Sequence, residues 1–220
     1  MKPERLEQAG ESGSGVPPRA SLDRPVSSAG LSLALLLAVP VTLAGTPADV
    51  LSLGASRPGQ FPVCSGYGCE RVHTVSLTET EWQWAVSPLA GTDDAGAERA
   101  ALARVIGRLE RLVGPRTGTE RNLGGTFRGV GRPGQMDCLD ESTNTTTYLR
   151  MLAEAGLLPR HTVEQPRTRG YFIFGWPHTS AVIRSLTDGD LYAVDSWFED
   201  NGRPAHVVPL KQWRAGWRPA

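Results

Sequence analysis

The sequence has no excess of either charge: 23 Lys and Arg stand against 23 Asp and Glu. The first 45 residues carry four of each sign, so the rest is balanced as well. Without a basic surplus the chain lacks the electrostatic footprint of a nucleic-acid binder. No internal repeat is visible, which excludes solenoids and propellers. Long apolar runs are absent but for one, "GLSLALLLAVPVTLAGTPA" from Gly30, whose core covers the fourteen positions Leu31 to Ala44. That is short of the roughly 20 residues a bilayer span needs. What remains is a 220-residue chain, 40% apolar, with enough material for one buried core.

The apolar run suits the central region of an export signal, with "TLA" at Thr42 to Ala44 as a cleavage site. Residues 1–29 make a long leader of zero net charge. A start nearer Val16 leaves Arg19 and Arg24 against Asp23 and restores the positive flank such signals carry. The sequence therefore predicts residues 1–45 as an extension holding an export signal, or an uncleaved anchor, and residues 46–220 as a single domain. The expected location is the periplasm or cell envelope, with membrane contact only through the N-terminal segment. A cytoplasmic protein is the remaining alternative.

Only three cysteines are present. "CSGYGC" places Cys64 and Cys69 across a loop with Gly66 and Gly68, flexible enough to bring two sulfurs together. In an exported protein that spacing predicts a disulfide. A zinc site including His73 is the alternative, although no fourth ligand is evident. Cys138 is left over.

Along the chain, "RVHTVSLTETEWQWAV", Arg71 to Val86, reads as strand-rich. A helix is expected from a cap at Thr92, with Asp93 and Asp94 at its positive end, to a stop at Gly114. Ala97, Ala101, Val105, Leu109 and Leu112 form its buried stripe. Gly114 to Gly134 reads as loop. A second helix follows, with Cys138 in its first turn, on one face with Ser142, Thr145 or Thr146, Leu149, Leu152 and Ala153, and stopped by Gly156. Asn144 and the threonines after it are poor helix formers, so tertiary packing must hold this helix. Asn144 begins a glycosylation sequon, read as chance inside a helix. "YFIFGWPHTSAVIRSL" and "LYAVDSWF" read as strands joined at Asp188-Gly189, and "AHVVPL" as a further short strand.

A thiol in the first turn of a helix lies beside unpaired N–H groups, which lower its pKa and can hold an oxyanion. The bland reading is a small buried hydrophobe. His178 opens one strand and Asp195 lies in the next. A neutral imidazole can take a thiol proton, and a carboxylate can orient the imidazole. A two-residue turn at Asp188-Gly189 would leave His178 opposite Glu199, so a bulge, a longer loop or strong twist must bring it to Asp195.

"CLDE", "YLRMLAEAGLLPR", "PHTSAVI" and "LYAVDSWF" stand in the order of the transglutaminase-like cysteine peptidases and amide hydrolases of the papain-like group, which residues 134–198 resemble. The intervals, 40 residues from Cys138 to His178 and 17 from His178 to Asp195, also look like that family's. The resemblance implies an α+β fold with a papain-like, transglutaminase-like core, in which a Cys-bearing helix packs on an antiparallel sheet. It implies Cys138 as nucleophile, His178 as base and Asp195 as orienting acid. It also implies a peptide or protein amide as substrate. Gln135 and Trp176 are candidates for the oxyanion side, and Trp176 and Trp197 for the cleft wall. No motif asks for a cofactor or a metal. His73, His161 and His206 read as structural or surface groups. The leading expectation is an exported thiol-dependent amide hydrolase or acyl transferase. Its alternative is a non-catalytic exported binding or scaffolding module on the same fold.

Overall fold

The computed structural model describes residues 45–53, 56–125, 131–170 and 176–220. All belong to the unit Val39–Ala220. The predicted export segment lies outside the described residues, apart from its last residue, Gly45. No helix among the described residues is long and apolar enough to cross a membrane.

The chain opens with α1 (Pro47–Ser52), then β1 (Phe61–Ser65) and β2 (Arg71–Val75), which form a two-stranded antiparallel sheet. α2 (Glu79–Val86) and a short 3₁₀ turn, Ser87–Leu89, lead to α3 (Ala95–Thr117) and α4 (Cys138–Glu154). β3 (His161–Arg169), β4 (His178–Ser185), β5 (Leu191–Asp195) and β6 (His206–Pro209) make an antiparallel sheet in that order, and α5 (Leu210–Arg214) follows. The fold is α+β, with the Cys-bearing α4 packed on the antiparallel sheet and against β1.

The predicted strand-rich segment Arg71 to Val86 divides in two. β2 ends at Val75, and a capping box then starts α2: Thr78 accepts the Glu81 N–H while the Glu81 carboxylate accepts the Thr78 N–H. α3 is capped at Asp94 rather than Thr92 and runs through Gly114 and Pro115 to a left-handed Gly118. Gly114 is required there for space: a Cβ would stand 2.9 Å from the Glu120 backbone.

α4 is buried on nearly every side rather than along one stripe, although Ala153 is exposed. Its polar residues survive burial because each finds a partner. Thr143, Thr146 and Thr147 return their hydroxyls to backbone carbonyls four residues earlier. Asn144 accepts the Cys64 N–H at 2.7 Å and donates to the Cys64 carbonyl at 2.9 Å, fastening β1 to the helix. An amide in that position is buried, as the chance reading of its sequon requires.

The Cys64–Cys69 disulfide forms, at an S–S distance of 2.11 Å. Its loop takes left-handed backbone at four successive residues, Gly66, Tyr67, Gly68 and Cys69. Consecutive N–H groups thereby point inward to the start of α4: Tyr67 and Cys69 donate to Asp140 at 2.7 and 2.6 Å, and Gly68 donates to Asp137.

Candidate functional site

Three elements converge at one end of the sheet: the start of α4, the start of β4 and the end of β5. Asp137 caps α4, with Cys138 as its first helical residue. β4 and β5 pair with Arg184 opposite Leu191 and Ala181 opposite Val194. The connection is therefore the six residues Ser185 to Asp190, closed by a Ser185 N–H to Asp190 carbonyl bond of 2.8 Å. This longer loop resolves the register problem. Continuing the pairing places Ser180 opposite Asp195 and His178 two positions further along the same face, a diagonal neighbour.

His178 Nε2 bonds Asp195 Oδ2 at 2.7 Å. The same oxygen accepts Trp213 Nε1–H at 2.6 Å, so the carboxylate, 1% exposed, is not left uncompensated. Around the imidazole lie the rings of Trp197, Phe198 and Trp213, with centroids at 4.8, 5.1 and 5.6 Å. The guanidinium of Arg169 lies 4.6 Å over the Trp213 ring and donates to the Trp213 carbonyl.

Over these groups opens a cleft of about 490 Å3. Cys138, His178, Trp176, Trp197 and Phe198 line it together with Arg169, Arg214 and Arg218. Trp176 is 75% exposed at its edge. Gln135 does not line it. Both ends of that buried amide hold loop backbone: Oε1 accepts the Leu123 N–H and Nε2 donates to the Arg121 carbonyl.

The expectation of a thiol-dependent enzyme requires correction. Two of the three cysteines are joined in the disulfide and offer no thiol. Cys138 is the one free cysteine, half-buried, and among the described residues no hydrogen bond joins its sulfur to His178 or to any other imidazole. Burial pushes its pKa up to about 11, and the negative charges of Asp137 and Asp195 act in the same direction. The backbone N–H groups of Thr179 and of Cys138 itself oppose this without reversing it. Dipole and N–H groups favour the thiolate, but burial beside acidic neighbours outweighs them. With no imidazole bonded to the sulfur to take its proton, a thiol raised in this way is a poor nucleophile, so the readings as thiol protease, cysteine peptidase and hydrolase fall with the Cys-His-Asp thioester mechanism.

The zinc alternative falls to the same disulfide. Sγ of Cys64 and Cys69 and a carboxylate oxygen of Asp140 lie within 4.8 Å of one another, but the sulfurs are bonded to each other and Asp140 accepts backbone N–H groups. His73 instead bonds the Ser65 hydroxyl at 2.9 Å. His161 pairs with buried Glu98 and His206 with Glu199, both at 2.8 Å, as structural links.

Beneath the site lies a buried acidic layer: Glu141, legible in the sequence only as an acidic group at the helix start, lies buried with Glu110. Glu141 accepts from Asn122 Nδ2 and from the Ser196 hydroxyl, each at 2.8 Å, and Glu110 accepts the Gly202 N–H. Burial pushes the Glu141 carboxyl up to about 7 and Glu110 well above the usual carboxylate range. The tail arginines were missed. The signal available was the pairing of Trp213 with Arg214 and Trp217 with Arg218, aromatic and cationic residues side by side in the last eight positions.

No family model, curated protein or solved structure matches the chain.

Proposed function

We propose that the protein is an exported, non-catalytic binding module that holds its ligand in the cleft above the His178–Asp195 pair. The observation that carries this reading is the cleft itself: about 490 Å3, walled by Trp176, Trp197 and Phe198, over a thiol held protonated. Its size falls in the range of small-ligand sites, and aromatic walls with a few fixed polar groups are their usual lining. His178 and Asp195 act here as structure. Their bond and the Trp213 N–H fix the floor on which the aromatic walls stand.

The order of the Cys-bearing helix, the His strand and the Asp strand supports a transglutaminase-like core that keeps the shape of a peptide cleft without its turnover. A peptide is accordingly the expected class of occupant. Export is supported by the Cys64–Cys69 disulfide, since such bonds persist in oxidising compartments.

The test is a peptide-library screen read by tryptophan fluorescence, with Trp197→Ala as the control. Saturable binding that Trp197→Ala removes, with the peptides recovered uncleaved, is the expected result. Cleaved or covalently attached peptide would overturn the reading.

A further inference from the structure

The cleft has an unbalanced charge. Arg169, Arg214 and Arg218 all line it, and among the described residues no Asp or Glu does. Among the described residues, none of the three forms an ion pair, while Arg160, Arg184 and Arg203 elsewhere do. The opposing charge that acts on Arg169 is Asp195, whose Oδ2 already takes His178 Nε2 and Trp213 Nε1.

Arg169 is half-buried: burial lowers its pKa, Asp195 opposes that, and the like charge of Arg218 adds a smaller lowering. Its guanidinium is nevertheless held in place. It donates to the Trp213 carbonyl, lies over the Trp213 ring and stands 5.9 Å from the centre of Phe198. A guanidinium carries five N–H donors in a rigid fork, so one bond to a carbonyl leaves others for a planar or tetrahedral oxyanion. Two mutually repelling cations beside aromatic walls are relieved by one anion placed between them.

Resting on the reading of the cleft as a binding site, we infer that its ligand is an organic oxyanion. The charged end lies between Arg169 and Arg218, and an apolar or aromatic body lies against Trp176, Trp197 and Phe198. A peptide C-terminal carboxylate and a phosphate monoester share this chemistry.

Calorimetric titration of the full chain with N-acetylphenylalanine, N-acetylphenylalaninamide and phenyl phosphate separates the cases. The acid or the phosphate should bind, the amide about tenfold or more weakly, which is the effect of losing a charge-assisted hydrogen bond. Whichever of the two anions binds more tightly identifies its source. Arg169→Gln should weaken anion binding by a similar factor. Arg218→Gln, in the exposed tail, should do so without touching the aromatic floor, and added salt should weaken binding further. Equal affinity for acid and amide, unchanged in Arg218→Gln, would overturn the inference and leave a charge-indifferent binding module. No binding by any of the three at millimolar concentration, together with no peptide captured in the library screen, would overturn both.

Discussion

The backbone N–H of Cys69 donates to Asp140 Oδ1 at 2.6 Å, tying the disulfide to the first turn of α4. Asp140 Oδ2 accepts the N–H of Tyr67 and of the cap residue Asp137 at the same time. The left-handed loop, the disulfide and the start of the cleft helix therefore form one unit. Tyr67 and Cys69 adopt backbone that L side chains disfavour, and the cross-link and the carboxylate keep them there.

Replacing Cys64 and Cys69 together by Ser should destabilise the protein by about 2 kcal/mol or more, the effect expected of a short cross-linked loop. Urea unfolding measures it. Non-reducing peptide mapping of the parent protein should find those two cysteines joined and Cys138 free.

Asn144→Ala removes a side chain that bonds both the N–H and the carbonyl of Cys64. Both backbone groups are then left buried without that partner, at about 1–3 kcal/mol each. The midpoint of urea unfolding should fall accordingly, while a cleft ligand should still bind to the folded fraction.

The buried carboxyls set a pH dependence. Burial raises Asp140 from 3.8 to about 7 and Glu141 from 4.5 to about 7, and raises Glu110 in the same direction. Between those limits the folded chain binds more protons than the unfolded one. Their contribution is complete below about pH 4 and is lost as pH rises towards 7. His73, lowered by burial and by Arg71, acts in the opposite sense near its ordinary value. Glu141→Gln isolates the effect, since its amide can still accept from Asn122 and donate to Ser196. Its unfolding free energy should decline less between pH 4.5 and 7 than that of the parent. An identical slope in the two proteins would contradict the assignment.

The sequence showed the mixed fold, the disulfide, the helix beginning at Cys138 and the strands carrying His178 and Asp195, because each has a local signature. What it hid depends on distant partners. β3 carries Pro166 and reads poorly as a strand, yet a bulge between Glu164 and Arg167 accommodates it. The Thr78–Glu81 capping box was legible and was overridden by the β-like run before it. Gly114 and Pro115 read as a stop, but α3 passes through them and ends only at Gly118. The misreading of Cys138 has the same origin. A helix start and the acidic Asp137 beside it are local and visible, whereas burial of the thiol and the position of Asp195 near it are set by the fold.

The most direct measurement is the pH profile of Cys138 alkylation by iodoacetamide in the full chain, with Cys64 and Cys69 left in their disulfide. The account predicts a rate that still rises above pH 9 towards a midpoint near 11, and a profile unchanged in His178→Ala. A midpoint below about 8.5 that moves upward in His178→Ala would show a thiolate sustained by the imidazole, and would contradict the non-catalytic reading.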